Sequence, residues 1–156
     1  MPLGNLTSQF FANVYLNELD YFVKHVLKVK YYIRYVDDFV LLHSSQMQLE
    51  ELRSKIDNFL REKLNLVLHP DKSKIIPLSR GVDFVGFRNF AHFRLLRKRN
   101  MRKIERKIEA FAKRERTFGS MQDTYLGWQG YARIGNTYFF REKIKREIVD
   151  TVLERI

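Results

Sequence analysis

Ile33-Arg34-Tyr35-Val36-Asp37-Asp38-Phe39-Val40-Leu41-Leu42 is the stretch on which the reading of this chain turns. Apolar residues lead up to two adjacent aspartates and away from them, which predicts a β-hairpin over residues 31–43 bent at Asp37 and Asp38. Aspartate is depleted in strands and favoured in turns, and two neighbouring carboxylates repel each other. Held side by side at the end of an apolar hairpin, they are suited to gripping a hard divalent cation through oxygen. A solvated Asp-Asp turn is the alternative.

Working outward, the N-terminal residues read as a loop punctuated by Pro2, Gly4, Asn5, Thr7 and Ser8. Phe11, Tyr15, Leu19, Phe22 and Val26 then recur at helical spacing, predicting one helix from Ser8 to about Lys28, with Thr7 or Ser8 as its cap. On the far side of the hairpin, Ser45-Gln46-Met47-Gln48 spells a capping box opening a second helix. Short strands are expected over 66–68 and 74–77, around the turn His69-Pro70-Asp71. A further hairpin is expected from Val82–Phe87 and Phe93–Leu96. The order predicts an α+β sheet layered on helices.

The composition then changes. Between Arg88 and Arg116 stand twelve Lys and Arg against three Glu, nine of the net +11 charges of the 156-residue chain. Met101, Ile104, Ile108 and Phe111 form one apolar helical stripe, while Arg99, Arg102, Arg106 and Lys113 fall on the opposite side. A solvated charged face is the usual meaning of such a pattern, but too few acids balance this one, which favours a phosphate-facing helix. Two more helices follow, one after a break at Gly119 carrying Tyr125, Leu126, Trp128 and Tyr131, the other carrying Phe140, Ile144, Ile148 and Val152. Trp128 has apolar neighbours at helical spacing and reads as core.

The totals agree with this picture. An apolar fraction of 45% with 14% aromatic belongs to a globular chain, long enough for one domain or two small subdomains. The excess of 29 Lys and Arg over 18 Asp and Glu points to a polyanionic partner, nucleic acid before membrane. Without cysteine there is no disulfide framework and no thiolate metal site, and a reducing compartment is permitted. No apolar run is long enough to span a bilayer, and Met1–Asn5 lacks the features of a signal peptide. A cytoplasmic location is the expectation.

Taken in order, these segments resemble the later part of a reverse transcriptase of the bacterial kind. Pro2-Leu3-Gly4-Asn5-Leu6-Thr7-Ser8-Gln9 looks like the family's template- and nucleotide-facing segment, and Tyr35-Val36-Asp37-Asp38 like its YxDD box. Pro70-Asp71-Lys72-Ser73 looks like the segment that follows, and Phe84-Val85-Gly86-Phe87 like the primer-grip hairpin. The hexapeptide Gly-Asn-Leu-Thr-Ser-Gln is similar to the version in diversity-generating retroelements and neighbouring unclassified bacterial lineages, and differs from the Gln-Gly pattern of intron-encoded enzymes.

The resemblance implies a partial palm over residues 1–96, a small antiparallel sheet packed on helices that includes the primer grip. A helical thumb bundle over 97–156 follows. It implies RNA-directed DNA synthesis by nucleotidyl transfer with two Mg²⁺ ions, Asp37 as metal-binding residue and Asp38 supporting it. Lys72 would protonate or screen the leaving pyrophosphate, or be a solvated turn residue. Gly4, Asn5, Ser8, Gln9 and Tyr35 would position nucleotide and template, although Ser8 serves equally as a cap. Phe84, Val85, Gly86 and Phe87 would hold the primer, and Arg99, Arg102, Arg106 and Lys113 would meet the nucleic-acid backbone. The implied partners are an RNA template with a DNA primer or the hybrid, and a deoxynucleoside triphosphate.

One departure weighs against activity. The family's metals also need an aspartate from a strand preceding the Gly-Asn-Leu-Thr-Ser-Gln segment. Asp20, Asp71 and Asp83 do not stand in its place. The 156 residues are therefore expected to be a palm–thumb fragment that binds Mg²⁺ weakly or not at all, does not polymerise alone, and needs the N-terminal half of the polymerase. An exposed sheet edge would favour self-association. The alternative is a non-catalytic nucleic-acid-binding module that works through its basic helix.

Overall fold

The computed structural model describes residues 6–155 and divides the chain into two compact units that meet between Ile76 and Pro77. The first begins with helices α1 (Leu6–Tyr15) and α2 (Asn17–Tyr21), continued by a π-helical turn over Phe22–Val26. Strands β1 (Tyr31–Tyr35) and β2 (Asp38–Leu42) form the expected antiparallel hairpin, with Tyr35 opposite Asp38 and Tyr31 opposite Leu42. Helix α3 (Gln46–Leu64) follows, capped as expected by Ser45, whose hydroxyl accepts the amide of Gln48.

The N-terminal helix departs from the single regular rod that its periodicity predicts. Leu16 breaks it, and the wide turn closes with the Leu27 amide on the Phe22 carbonyl at 2.9 Å. Phe11 and Tyr15 lie before the break at Leu16, and Val26 lies at the end of the wide turn. The face that packs is Leu16, Leu19 and Val23, whereas Phe11, Tyr15 and Val26 of the expected stripe stay exposed. Against it lie Ile56, Leu60 and Leu64 of α3, and Phe22 stacks on Phe59 with centroids 4.1 Å apart. This cluster is the core of the first unit.

The strands expected over 66–68 and 74–77 do not form. Asn65 adopts a left-handed backbone that ends α3 and turns the Leu66 amide back onto the Leu60 carbonyl. The Leu68 amide goes to the Asp57 carboxylate. These donors are satisfied by a helix end and a side chain, so no ladder is needed.

The second unit contains a three-stranded antiparallel sheet in sequence order, β3 (Val82–Phe84), β4 (Phe87–Asn89) and β5 (Arg94–Leu96). The run Val82–Phe87 is thus a hairpin in itself rather than one strand. Val85 and Gly86 both have positive φ, and Phe84 pairs with Phe87 across them. Helices α4 (Lys98–Ala112), α5 (Phe118–Ala132) and α6 (Tyr138–Leu153) complete the unit. The predicted stripe of α4 is its core: Ile104, Ile108 and Phe111 are buried with Met121 of α5 and Ile144 of α6. The break before α5 falls ahead of Gly119, because Thr117 caps the helix through the Ser120 amide. Trp128 packs edge-on against Phe140 at 5.8 Å, a core residue as expected. A second cluster of Phe87, Leu96 and Ala132 joins this sheet to the helices, so the Val85–Gly86 turn packs with the bundle. The fold is α+β, a partial palm with a helical thumb. The packing break at 76/77 lies well before the expected change of subdomain at 96/97.

Candidate functional site

The β1–β2 turn presents the two aspartates. Val36 and Asp37 form the two-residue loop and Asp38 opens β2. Both carboxylates and the Tyr35 ring are exposed, and neither aspartate side chain is engaged in a hydrogen bond or ion pair among the described residues. Val36 carries φ +56°, a left-handed conformation unusual for a β-branched residue.

What holds the turn is Arg34. All three guanidinium nitrogens are used: Nε donates to Asp20 Oδ1 at 2.8 Å, Nη2 to Asp20 Oδ2, and Nη1 to both Asn13 Oδ1 (2.9 Å) and the Val36 carbonyl (2.6 Å). The Tyr32 hydroxyl donates to the same Asp20 carboxylate at 2.7 Å. The hydrogen bonds from Arg34 hold the Asp20 carboxyl below the usual carboxylate range, against an opposing effect of burial. Burial, and then the bond to Asp20, push the Tyr32 phenol well above its ordinary value. Spacing along the sequence gave no hint of this network, because its partners lie on different elements.

Ser8 and Gln9 stand in the first turns of α1, the former half-buried and the latter exposed. Gly4 and Asn5 lie outside the described residues. Lys72 is exposed in the turn after Pro70, where its amide and that of Ser73 fold back onto the His69 carbonyl. Among the described residues no group of three or more His, Cys, Asp or Glu is arranged to hold a metal ion. Two exposed carboxylates with no other partner are nonetheless the kind of oxygen donors that Mg²⁺ takes. That ion commonly uses one or two carboxylates and completes its shell with water and phosphate. The Asp37–Asp38 pair fits as part of such a site.

In the second unit, the Val85–Gly86 turn is fastened from three sides. Asn100 Nδ2 donates to the Gly86 carbonyl at 3.2 Å, the Arg97 amide to the same oxygen at 3.3 Å, and the Tyr131 hydroxyl to the Val85 carbonyl at 3.3 Å. Phe87 is buried, Phe84 half-buried and Val85 exposed. Beside this turn opens a cleft of about 530 Å³ lined by Arg97, Arg99, Lys103, Arg106 and Lys107 as well as Gly86. Arg99 and Arg106 were expected to face a polyanion. Arg97, Lys103 and Lys107 are added, whereas Arg102 and Lys113 are exposed outside the lining. Positions 99, 103, 106 and 107 share one face of a helix, a signal the sequence does carry. Glu105 and Glu109 lie outside the lining, so five cations concentrate on one cleft.

The first unit thus presents an exposed carboxylate pair on a hairpin, and the second a small sheet and helices with a cationic cleft. Residues 1–89 match the family model described as "Reverse transcriptase (RNA-dependent DNA polymerase)", and the chain belongs to that family. The "Putative COX1/OXI3 intron 2 protein" of Saccharomyces cerevisiae is 34% identical over 61 residues, which cover 38% of this chain. The matched stretch spans 7% of that relative's length. No helix among the described residues is long and apolar enough to cross a membrane.

Proposed function

We propose that this chain supplies one part of an RNA-directed DNA polymerase: the carboxylate pair of the nucleotidyl-transfer site, a primer-holding turn and a duplex-binding helical bundle. The observation that carries the reading is the exposed Asp37–Asp38 pair on a two-residue hairpin loop, with no partner among the described side chains. Asp37 and Asp38 would hold Mg²⁺ through carboxylate oxygens. When bound, the ion offsets the charge that builds on the attacking and leaving oxygens. Tyr35, Ser8 and Gln9 flank nucleotide and template, with Gly4 and Asn5 in the preceding loop. Lys72 screens or protonates the leaving pyrophosphate. The Phe84–Phe87 turn grips the primer, and Arg99 and Arg106 with their cleft neighbours track its phosphates. Arg102 and Lys113, on the exposed surface of the same helical segment, extend that track.

Two metal ions need more carboxylate than this pair provides, so a further aspartate from another polymerase segment completes the site. The working partners are then that segment, an RNA template with its DNA primer, and a deoxynucleoside triphosphate, and the setting is cytoplasmic. The hexapeptide Gly-Asn-Leu-Thr-Ser-Gln supports a place among diversity-generating retroelements or neighbouring bacterial lineages.

The test is primer extension on an RNA template with Mg²⁺, using the chain alone and the chain joined to a palm segment that carries the additional aspartate. Extension only by the joined form, abolished by Asp37→Asn with duplex binding intact, is the expected result. A second reading is favoured by one observation: the cationic cleft is lined by five Lys and Arg, while among the described residues no group of three or more His, Cys, Asp or Glu is arranged to hold a metal ion. In that reading the chain is a non-catalytic nucleic-acid-binding module. Asp37→Asn would then be silent in every assay, while loss of Arg99 and Arg106 would remove the only activity present.

A further inference from the structure

We propose that Arg34, anchored by Asp20, is a positioning residue that locks the Val36–Asp37 turn and thereby aims the Asp37 carboxylate. The inference rests on the reading of Asp37 as a cation ligand. A valine at φ +56° is strained, and such a conformation persists only where its surroundings impose it. Here the imposing contact is the 2.6 Å bond from Arg34 Nη1 to the Val36 carbonyl, on the residue immediately before Asp37.

The same guanidinium reaches three elements. It meets Asn13 on α1, the helix whose first turns carry Ser8 and Gln9, and both oxygens of Asp20 on α2. The planar fork makes this possible, and a lysine could not occupy all four acceptors from one point charge. The Arg34 side chain is only 10% exposed, and its charge is met by Asp20, so it does not serve as a phosphate contact. Asp20, with both oxygens occupied, is likewise no substitute for the further metal-binding aspartate. Its role is to hold Arg34.

The test uses Mn²⁺ as probe, titrated into the ¹⁵N-labelled chain, with paramagnetic broadening of the Val36–Phe39 amides as readout. Four forms are compared: the native chain, Arg34→Lys, Val36→Gly and the double variant. Arg34→Lys is expected to weaken Mn²⁺ binding by about tenfold, the scale of one well-placed hydrogen bond. Glycine enters the left-handed region without strain. Val36→Gly is therefore expected to restore most of the affinity in the Arg34→Lys background.

An equal loss in both backgrounds overturns the proposal, because Arg34 would then act other than through the valine conformation. If Arg34→Lys unfolds the first unit, Asp20→Asn in the same two backgrounds takes its place. Asp37→Asn separates the two levels. If it leaves the broadening unchanged, the cation-site reading fails. The lock is then judged on the intraresidue amide–Hα NOE of Val36, strong only while the left-handed conformation holds, and a strong NOE surviving Arg34→Lys refutes it.

Discussion

Replacing Gly86 with alanine probes the turn proposed to hold the primer, and its cost follows from the geometry. Gly86 has φ +79°, where an L residue is strained by about 1–2 kcal/mol. The new Cβ would stand 1.9 Å from the Tyr131 hydroxyl oxygen and 3.1 Å from Asn100 Nδ2, so Tyr131 must move. Moving it breaks the bond from Tyr131 to the Val85 carbonyl and the one it accepts from Asn100, each contributing about 1 kcal/mol. The expected loss is about 3–4 kcal/mol.

Trp128 is the sole tryptophan and packs in the second unit, so its fluorescence during urea unfolding reports that unit alone. Tyr131→Phe removes the oxygen that the Cβ strikes. In that background Gly86→Ala should cost only the backbone strain of about 1–2 kcal/mol, a coupling of about 2 kcal/mol. A Gly86→Ala loss below about 0.5 kcal/mol, or one unchanged by Tyr131→Phe, would refute the argument that conformation and contact both require glycine here.

Other perturbations test the remaining parts. Ile144 is fully buried between the three thumb helices, so Ile144→Ala should destabilise the second unit by about 2–4 kcal/mol in the same fluorescence assay; a loss under about 1 kcal/mol would contradict the assigned core. Asp20 has its folded pKa lowered by Arg34, so its contribution to stability is present above the ordinary carboxylate range and lost as pH falls through the folded value. Because the pair is partly solvated the effect is small. Asp20→Asn should flatten the acid limb of first-unit unfolding followed by circular dichroism, and an unaltered limb would count against it. In duplex binding, Lys103→Gln should lower the slope of log affinity against log salt by about one, the signature of one lost phosphate contact; an unchanged slope would remove Lys103 from the interface.

The legible parts of the sequence were those set by local pattern. The hairpin followed from apolar flanks around a residue pair that strands exclude, and the α4 stripe followed from 3.6-residue spacing because a packed helix face must be continuous. The first helix misled for a physical reason. The break at Leu16 separates the exposed Phe11 and Tyr15 from the packed Leu19, and the π turn at Phe22–Val26 leaves Val26 exposed, so one continuous stripe from 11 to 26 does not form. The Val85–Gly86 bend was legible only through the resemblance of Phe84–Phe87 to a family hairpin, because valine hardly ever takes a left-handed turn position. The Asp20–Arg34 pair and the Tyr131–Val85 bond join residues on separate elements, which spacing rules do not reach. Arg34 was adjacent to the motif in plain view, but its partner had to be placed by folding.

The two proposed functional turns share one construction. Each is a two-residue hairpin loop with a left-handed valine, Val36 in one and Val85 in the other, where asparagine or glycine would be the relaxed choice. In each, a donor from a packed helix or strand grips the valine carbonyl: Arg34 at 2.6 Å in the first, Tyr131 at 3.3 Å in the second. A glycine at these valine positions would adopt the same fold with less strain, but it would also leave the loop free to leave it. Valine limits the unclamped loop to other conformations, so the observed one exists only while the clamp is closed. Loop geometry is thereby made conditional on side chains that lie outside the loop. For turns proposed to hold a carboxylate or a primer terminus, a loop set by its surroundings is the more useful arrangement.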